Sequence, residues 1–282
     1  MKKVSTAMAG VVLTGAMAIS AGAFAQASAD GAAAPAAAPA AAPADAAAAA
    51  AEPLTITANI GLFSDYRFRG ISQTGKRPAV QGGFDIAHES GLYAGVWASN
   101  ISWISDGNSA VSAPIEMDFY GGWKKEIIPD WTIDFGGLQY YYPGTYPSGT
   151  FYPRPHTFEL YAAVGWKTVT LKYSHSLTRL FGLVSPDGQD TSNSGYLDLT
   201  GTYDLGFWGL SAVGHVGHQW VHNFSAASYT DWKIGLSKDL GKNFSVSVSY
   251  VDTNAKEQYY TAANSGKVLS KATVVVGLSK TF

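Results

Sequence analysis

The feature that most constrains this chain is a regular alternation of apolar and polar residues with a period of two, beginning at Leu54. The apolar positions of the first such segment are Leu54, Ile56, Ala58, Ile60, Leu62, Tyr66 and Phe68. The polar positions are Thr55, Thr57, Asn59, Gly61, Asp65, Arg67 and Arg69. Because successive side chains of a β-strand point to opposite sides, the segment predicts a strand with one apolar and one hydrophilic face. Such strands form either a soluble β-sandwich or an outer-membrane barrel whose apolar face meets lipid.

The same alternation recurs to the end of the chain, and its polar faces are rich in Gly, Ser and Thr but sparse in charge. The solvent-exposed face of a sandwich would carry many Lys and Glu, whereas a confined lumen would not. Parity places these carboxylates on the inner face: Asp65, Asp85, Glu116, Asp118, Asp134, Glu159, Asp198, Asp204 and Asp231. The corresponding bases are Arg67, Arg69, Lys124, Lys172, Lys233 and Lys271. Since acids outnumber bases, we expect a mild preference for cations.

Asp65, Arg67 and Arg69 share one face at two-residue spacing and are the strongest candidates for a charged constriction. Rings of charged side chains select solutes in pores, but the same three residues would also fit an ion-paired network without a transport role. Both interpretations stay open. The full set of predicted pore-lining or constriction residues is Asp65, Arg67, Arg69, Asp85, Glu116, Asp118, Asp134, Glu159, Lys172 and Asp198.

Connections between the predicted strands alternate strictly between short and long. The short turns lie near residues 88–91, 125–130, 166–168, 205–208 and 238–243, and the long polar loops near 70–76, 105–114, 143–156, 178–193, 219–227 and 252–267. Bacterial outer-membrane barrels have short periplasmic turns and long external loops. The sequence therefore predicts an all-β fold: an antiparallel up-and-down transmembrane barrel of about twelve strands.

The N-terminus carries an export signal. Lys2 and Lys3 precede a short apolar run, and Ala23 and Ala25 supply the small residues that signal peptidase requires, so we expect cleavage after Ala25. The Ala/Pro-rich segment 26–53 has little to bury and is interpreted as a disordered periplasmic linker. The predicted division is a signal peptide at 1–25, the linker at 26–53 and the barrel at 54–282.

The ends of the strands carry aromatic residues, and the chain itself ends on Phe282. Two aromatic girdles are expected where amphipathic rings sit at the water–lipid interfaces. We assign Trp123, Trp131, Trp166 and Trp208 to the short-turn girdle and Tyr66, Phe68, Tyr140, Tyr142, Tyr173 and Tyr250 to the long-loop girdle. The last amphipathic strand must pair with the first to close the barrel. Its terminal Phe282 resembles the insertion signal that the barrel assembly machinery recognises.

Four sequence segments carry a family resemblance: 64–74 (SDYRFRGISQT), 78–84 (PAVQGGF), 91–100 (GLYAGVWASN) and 140–144 (YYYPG). Together they resemble the TorF-type porins of proteobacteria over roughly residues 54–282. The resemblance implies an outer-membrane barrel more firmly than it implies a transported solute. It implies no catalytic residues.

The expected function is passive diffusion of small hydrophilic solutes across the outer membrane. A twelve-stranded barrel is intermediate between filled and water-filled barrels, so a non-conducting envelope or surface interaction protein is the main alternative. An outer-membrane phospholipase-like enzyme is a distant third, since only His88 has a serine two residues on, Ser90, and that pair lies in a predicted short turn. A net charge of −2 gives no reason to expect nucleic acid. We expect no catalytic residue, metal or cofactor; a homo-oligomer stays open.

Overall fold

A computed structural model describes residues 53–147 and 153–282 of the chain. The predicted signal peptide and nearly all of the linker lie outside the described residues. The strands are β1 (Leu54–Phe63), β2 (Arg67–Phe68), β3 (Ile71–Ser72), β4 (Ala79–His88), β5 (Leu92–Asn100), β6 (Ile115–Ile128), β7 (Trp131–Tyr141), β8 (Thr157–Trp166), β9 (Val169–Ser176), β10 (Gly195–Asp204), β11 (Leu210–Trp220), β12 (Tyr229–Gly241), β13 (Phe244–Thr253) and β14 (Thr273–Thr281). The only α-helix within the described ranges is α1 (Trp103–Gly107). In that part of the chain no helix has the length and apolar character needed to cross a membrane.

All strands except β2 and β3 form one closed antiparallel barrel of twelve, in which each strand pairs with its neighbours in sequence. The barrel closes where β1 pairs with β4 on one side and β14 on the other, so that Leu62 lies opposite both Val80 and Leu278. Closure leaves no free edge among these twelve strands, and backbone N–H and C=O groups are therefore satisfied within the wall. The prediction of an up-and-down barrel of about twelve strands is confirmed.

The strict alternation of connections is also confirmed. Short turns join β4–β5, β6–β7, β8–β9, β10–β11 and β12–β13, and long segments join β1–β4, β5–β6, β7–β8, β9–β10, β11–β12 and β13–β14. The ends of the described chain lie with the short turns, since Leu54 is paired with His88 and the Phe282 N–H donates to the Ala58 carbonyl. All long connections therefore gather at the opposite end of the barrel.

The outward face of the wall is apolar and exposed around the whole barrel, as the alternation predicts. Exposed outward side chains include Ile60, Leu62, Phe84, Phe119, Phe135, Leu160, Leu171, Leu199, Val216, Ile234, Val248, Val274 and Val276. Among the aromatic residues assigned to girdles, Trp131, Trp166, Trp208, Tyr173 and Tyr250 are exposed on the outside.

Four girdle assignments are wrong, because Tyr66, Phe68, Tyr140 and Tyr142 are buried in the interior, with exposures of 3%, 8%, 0% and 2%. The prediction followed period two through Phe68, but β1 ends at Phe63 and the chain then turns inward. Tyr140 lies on the inward face of β7, on the same parity as Asp134.

Large aromatic side chains fill the interior by lying across glycines of neighbouring strands. A Cβ at Gly136 would overlap the Tyr161 side chain, and one at Gly217 would overlap the Tyr196 side chain. Several inward tyrosines therefore depend on a glycine in the neighbouring strand, which leaves the wall beneath the ring free of a side chain.

Candidate functional site: a hairpin inside the barrel

The first long connection, Ser64–Pro78, does not leave the barrel but folds into its lumen. Its centre is the hairpin β2–β3, whose turn residues Arg69 and Gly70 both have positive φ, at 47° and 75°. Positive φ at both central positions is the type I′ geometry that matches strand twist in tight hairpins. We call residues 64–78 the plug segment. Its residues Asp65–Gly75 are all buried.

The plug segment holds its own shape through Asp65. One Asp65 oxygen accepts hydrogen bonds from the hydroxyls of Ser72 and Thr74, at 2.7 and 2.8 Å. The other accepts from Arg67 Nε at 2.7 Å. Because every one of these partners belongs to the plug segment, Asp65 acts as the internal support of the hairpin. The sequence interpretation of Asp65, Arg67 and Arg69 as one face of a strand is wrong, since all three lie beyond β1.

Arg67 fastens the hairpin to one side of the barrel. Its Nη1 donates to the carbonyls of Gly70, Leu269 and Lys271, the last two lying in the β13–β14 connection. Lys76 lies in the same region, where partial loss of hydration, together with the nearby Arg67 and Lys271, lowers the pKa of this exposed side chain. Lys271, predicted to be lumenal, instead precedes β14 with an exposed side chain and pairs with Glu257 at 3.7 Å.

Arg69 carries the tip of the hairpin to the far wall. Nη2 donates to Glu159 Oε2 of β8 and Nη1 to Gln219 Oε1 of β11, both at 2.7 Å. The guanidinium carbon lies 4.2 Å from the centre of the Tyr196 ring and 4.8 Å from that of Phe68. Although burial opposes it, the adjacent Glu159 carboxylate raises the pKa of Arg69, so the guanidinium stays charged.

Two aromatic residues of the plug segment, Tyr66 and Phe68, pack against the strands β5, β6 and β7. The Tyr66 hydroxyl donates to Glu116 Oε1 of β6 at 2.8 Å, and its ring meets Trp97 of β5 edge to face. Burial, followed by the charges of Glu116 and Asp118, raises the pKa of Tyr66 and keeps this hydroxyl protonated. Phe68 packs edge to face on Tyr140 of β7. The plug segment therefore touches the wall on several sides and crosses the lumen.

The strand-borne candidates other than Asp204 are buried or half-buried on the inner face, where tyrosines satisfy several of them. Tyr120 donates to Asp85 at 2.5 Å and Tyr93 to Asp134 at 2.7 Å. Lys172 lies 4.0 Å over the Tyr161 ring. Asp118 is only 2% exposed, and its Oδ1 has no hydrogen-bond partner within the described ranges. Asp204, by contrast, is exposed beside the β10–β11 turn.

Opposite these acids, His215 bridges two carboxylates. Its Nδ1 lies 2.9 Å from Asp198 and its Nε2 2.9 Å from Asp231. Sequence reasoning missed the roles of His215, Gln219 and Tyr196, because each depends on a partner from another strand or from the plug segment. The only signal in the sequence that could have identified them is their place at the inward-facing alternate positions of β10 and β11.

The long connections at the mouth are tied together by Asp106 of α1. Its Oδ2 accepts from Arg77 Nη2 at 2.8 Å and from the Ser102 hydroxyl at 2.7 Å, and lies 3.8 Å from Lys267 Nζ. The Asp106 carbonyl also accepts the N–H groups of Asn264 and Ser265. Asp106 thus joins the β5–β6 and β13–β14 connections to the end of the plug segment.

The remaining sequence candidates have simple surroundings. His88 Nδ1 lies 2.8 Å from Ser90 Oγ and accepts the Ser90 N–H, so the pair caps the β4–β5 turn. Phe282 is exposed at the end of the wall, with its ring near Lys280 Nζ. In the two described ranges no group of three or more His, Asp and Glu side chains is arranged to hold a metal ion.

The fold and its interior define a class: a closed twelve-stranded antiparallel barrel, apolar outside and polar inside, with its first long connection folded into the lumen. The chain belongs to the family described as "Bacterial protein of unknown function (Gcw_chp)", whose model matches residues 47–282. Among curated proteins, none matches the chain.

Solved structures share the barrel at low sequence identity. The NanC porin aligns with a TM-score of 0.50 and 12% identity, covering 80% of this chain and 99% of that one. The KdgM porin, solved with disordered oligogalacturonate, gives 0.48 and 8%, covering 80% and 98%. An outer membrane channel from Pseudomonas putida F1 gives 0.47 and 12%, covering 85% and 100%. The first of these comparisons supports the fold.

Proposed function

We propose that this protein is an outer-membrane channel for the passive diffusion of small hydrophilic solutes. The observation that carries the proposal is a polar, carboxylate-rich interior enclosed by a wall whose outward face is apolar all round. An apolar surface of this extent is unfavourable in water but matches acyl chains. A closed barrel is one of the two structures that satisfy every backbone group in lipid.

The proposal includes an orientation. The short turns and both ends of the barrel domain face the periplasm, where an exported chain cleaved after Ala25 would leave its Ala/Pro linker. The long connections face outward, Phe282 provides the signal for the barrel assembly machinery, and the relationship to TorF-type porins accounts for the motif in the plug segment.

The plug segment is the proposed constriction. It narrows the lumen of a barrel whose strand number already lies between filled barrels of about eight strands and water-filled barrels of 16–18. Inward carboxylates outnumber inward cations in the strand wall, so the lumenal charges filter solutes with a mild preference for cations.

Planar-bilayer recording of refolded protein tests this function. We expect small, discrete conductance steps and, in a KCl gradient, a reversal potential on the cation-selective side. Neutralising the inward acid whose side chain is 18% exposed, with D198N, should weaken that selectivity, whereas the matched change D190N in the β9–β10 connection should not. An anion-selective reversal potential would refute the proposed filter.

A second candidate is favoured by one specific observation. Asp106 joins two further connections to a plug segment that is itself bonded to the wall, which is the arrangement expected of a sealed barrel. A non-conducting envelope or surface interaction protein would give no steps in the same recording. If well-folded wild-type protein gave no conductance steps at all, the result would therefore favour this candidate over the channel.

A further inference from the structure

The Arg69 site shows how the barrel wall binds a guanidinium group. Two side-chain oxygens, from Glu159 and Gln219, each accept one N–H at 2.7 Å, and the Tyr196 ring lies under the guanidinium plane at 4.2 Å. Arg69 and Glu159 are each 2% exposed. A charged acceptor, a second oxygen and an aromatic face together are what a planar, forked cation requires.

Each of these three groups also has a contact within the wall that does not involve the hairpin. The Gln219 amide donates to the carbonyls of Gly195 and Trp220, at 3.0 and 3.1 Å, which aims its oxygen into the lumen. The Tyr196 hydroxyl donates to Asp231, and the Tyr140 hydroxyl reaches Glu159 at 3.4 Å. A site whose groups are fixed by their own neighbours is preorganised for a ligand.

The fit to Arg69 is incomplete. Its Nε is buried with no hydrogen-bond partner within the described residues. An unsatisfied buried donor weakens the bound state of this side chain. Attachment to the hairpin offsets this deficit, because it keeps Arg69 at high local concentration beside the site.

We propose that Glu159, Gln219 and Tyr196 form a binding site for guanidinium-bearing solutes, which Arg69 fills as a tethered ligand when the plug segment is seated. This inference rests on the proposed channel function and names a solute class for it. A free solute with this group takes the place of Arg69 when the hairpin withdraws, in the part of the lumen where carboxylates predominate.

The test uses R69A in detergent, with L-arginine as the probe and its uncharged isostere L-citrulline as the comparison. L-Arginine should raise the melting temperature of R69A in a saturable manner, and citrulline should not. The shift should disappear in R69A/E159Q. Wild-type protein, whose site is already filled, should need at least about a hundredfold more arginine. The control R179A, which removes an exposed arginine paired with Asp190, should behave like wild type.

A second variant guards against misfolding of R69A. Replacing Arg67–Ser72 by Gly-Gly also vacates the site, and its two junctions are adjacent because the Gln73 N–H donates to the Tyr66 carbonyl at 2.8 Å. Equal shifts with arginine and citrulline, no shift in either vacated variant, or a shift that survives E159Q would overturn the inference.

Bilayer recording separates this inference from the channel function. If the vacated variants conduct, L-arginine should interrupt their current and citrulline should not. Current without arginine-dependent interruption would refute the solute site and leave the channel standing. Absence of current in every variant would refute the channel, while the melting experiment would still decide whether the site binds guanidinium.

Discussion

At the scale of single residues, Gly70 shows how closely the hairpin tip fits against the wall at β12 and β13. Its φ is +75°, and a Cβ there would lie 2.4 Å from Thr253 Cγ2 and 2.7 Å from Asp231 Cβ. Backbone conformation and close approach both require glycine. Gly188, in the β9–β10 connection, has almost the same φ of +77° but no atom within 4 Å of its Cβ position. The two glycines thus share the left-handed backbone conformation, but only Gly70 has neighbouring atoms where a Cβ would lie.

This pair gives the first prediction. G70A and G188A should each lose about 1 kcal/mol from the left-handed backbone. G70A should lose a further 1–3 kcal/mol, roughly, from overlap with β12 and β13, because overpacking displaces well-packed neighbours. Unfolding by urea in detergent measures both. Equal destabilisation of the two variants would mean that the hairpin tip does not touch the wall.

At the scale of elements, the wall was predictable and the hairpin was not. The alternation of side chains along a strand alone places Asp85, Glu116 and Asp118 on the inner face. Once the residues on either side are known to face outward, the direction of each of these side chains is fixed. The plug segment continues the same alternation through Arg67 and Arg69, so period two cannot distinguish it from an extension of β1. Its direction depends on contacts with strands that are distant in sequence.

Cross-strand stacking of tyrosine over glycine gives the second prediction. At Gly136 a Cβ would overlap the Tyr161 hydroxyl and approach the Gly121 carbonyl to 2.7 Å, whereas at Gly201 it would meet only Val169, at 3.6 Å. We expect G136A to destabilise the barrel by about 1–3 kcal/mol and G201A to be close to neutral. Thermal unfolding in detergent compares them. A neutral G136A would show that Tyr161 does not rest on the wall.

At the scale of the whole molecule, the outward face of the barrel must be covered by something apolar. Ile234 is 68% exposed in the middle of β12, next to Gly214 and Tyr250. If this face were in water, replacing Ile234 by a polar residue would barely change the stability of the protein. In the hydrocarbon core a lysine at this depth would be costly. Aliphatic side chains outside and carboxylates inside therefore make sense only if lipid surrounds the whole barrel.

The third prediction concerns this surface. I234K should destabilise protein folded in lipid vesicles by about 2–4 kcal/mol, and L177K, at the start of the β9–β10 connection, by less than about 1 kcal/mol. Equilibrium unfolding in vesicles gives both values. If I234K proved as stable as wild type, the outward face would not be in contact with lipid.

The central claim is that the barrel's own first connection sets the size of its lumen. Single-channel recording of the variant in which Gly-Gly replaces Arg67–Ser72 tests it most directly, because the change removes the hairpin and leaves the wall untouched. We predict a conductance several times that of wild type, with the barrel still folded. A correctly folded variant that passes the same current as wild type, or none, would contradict the claim.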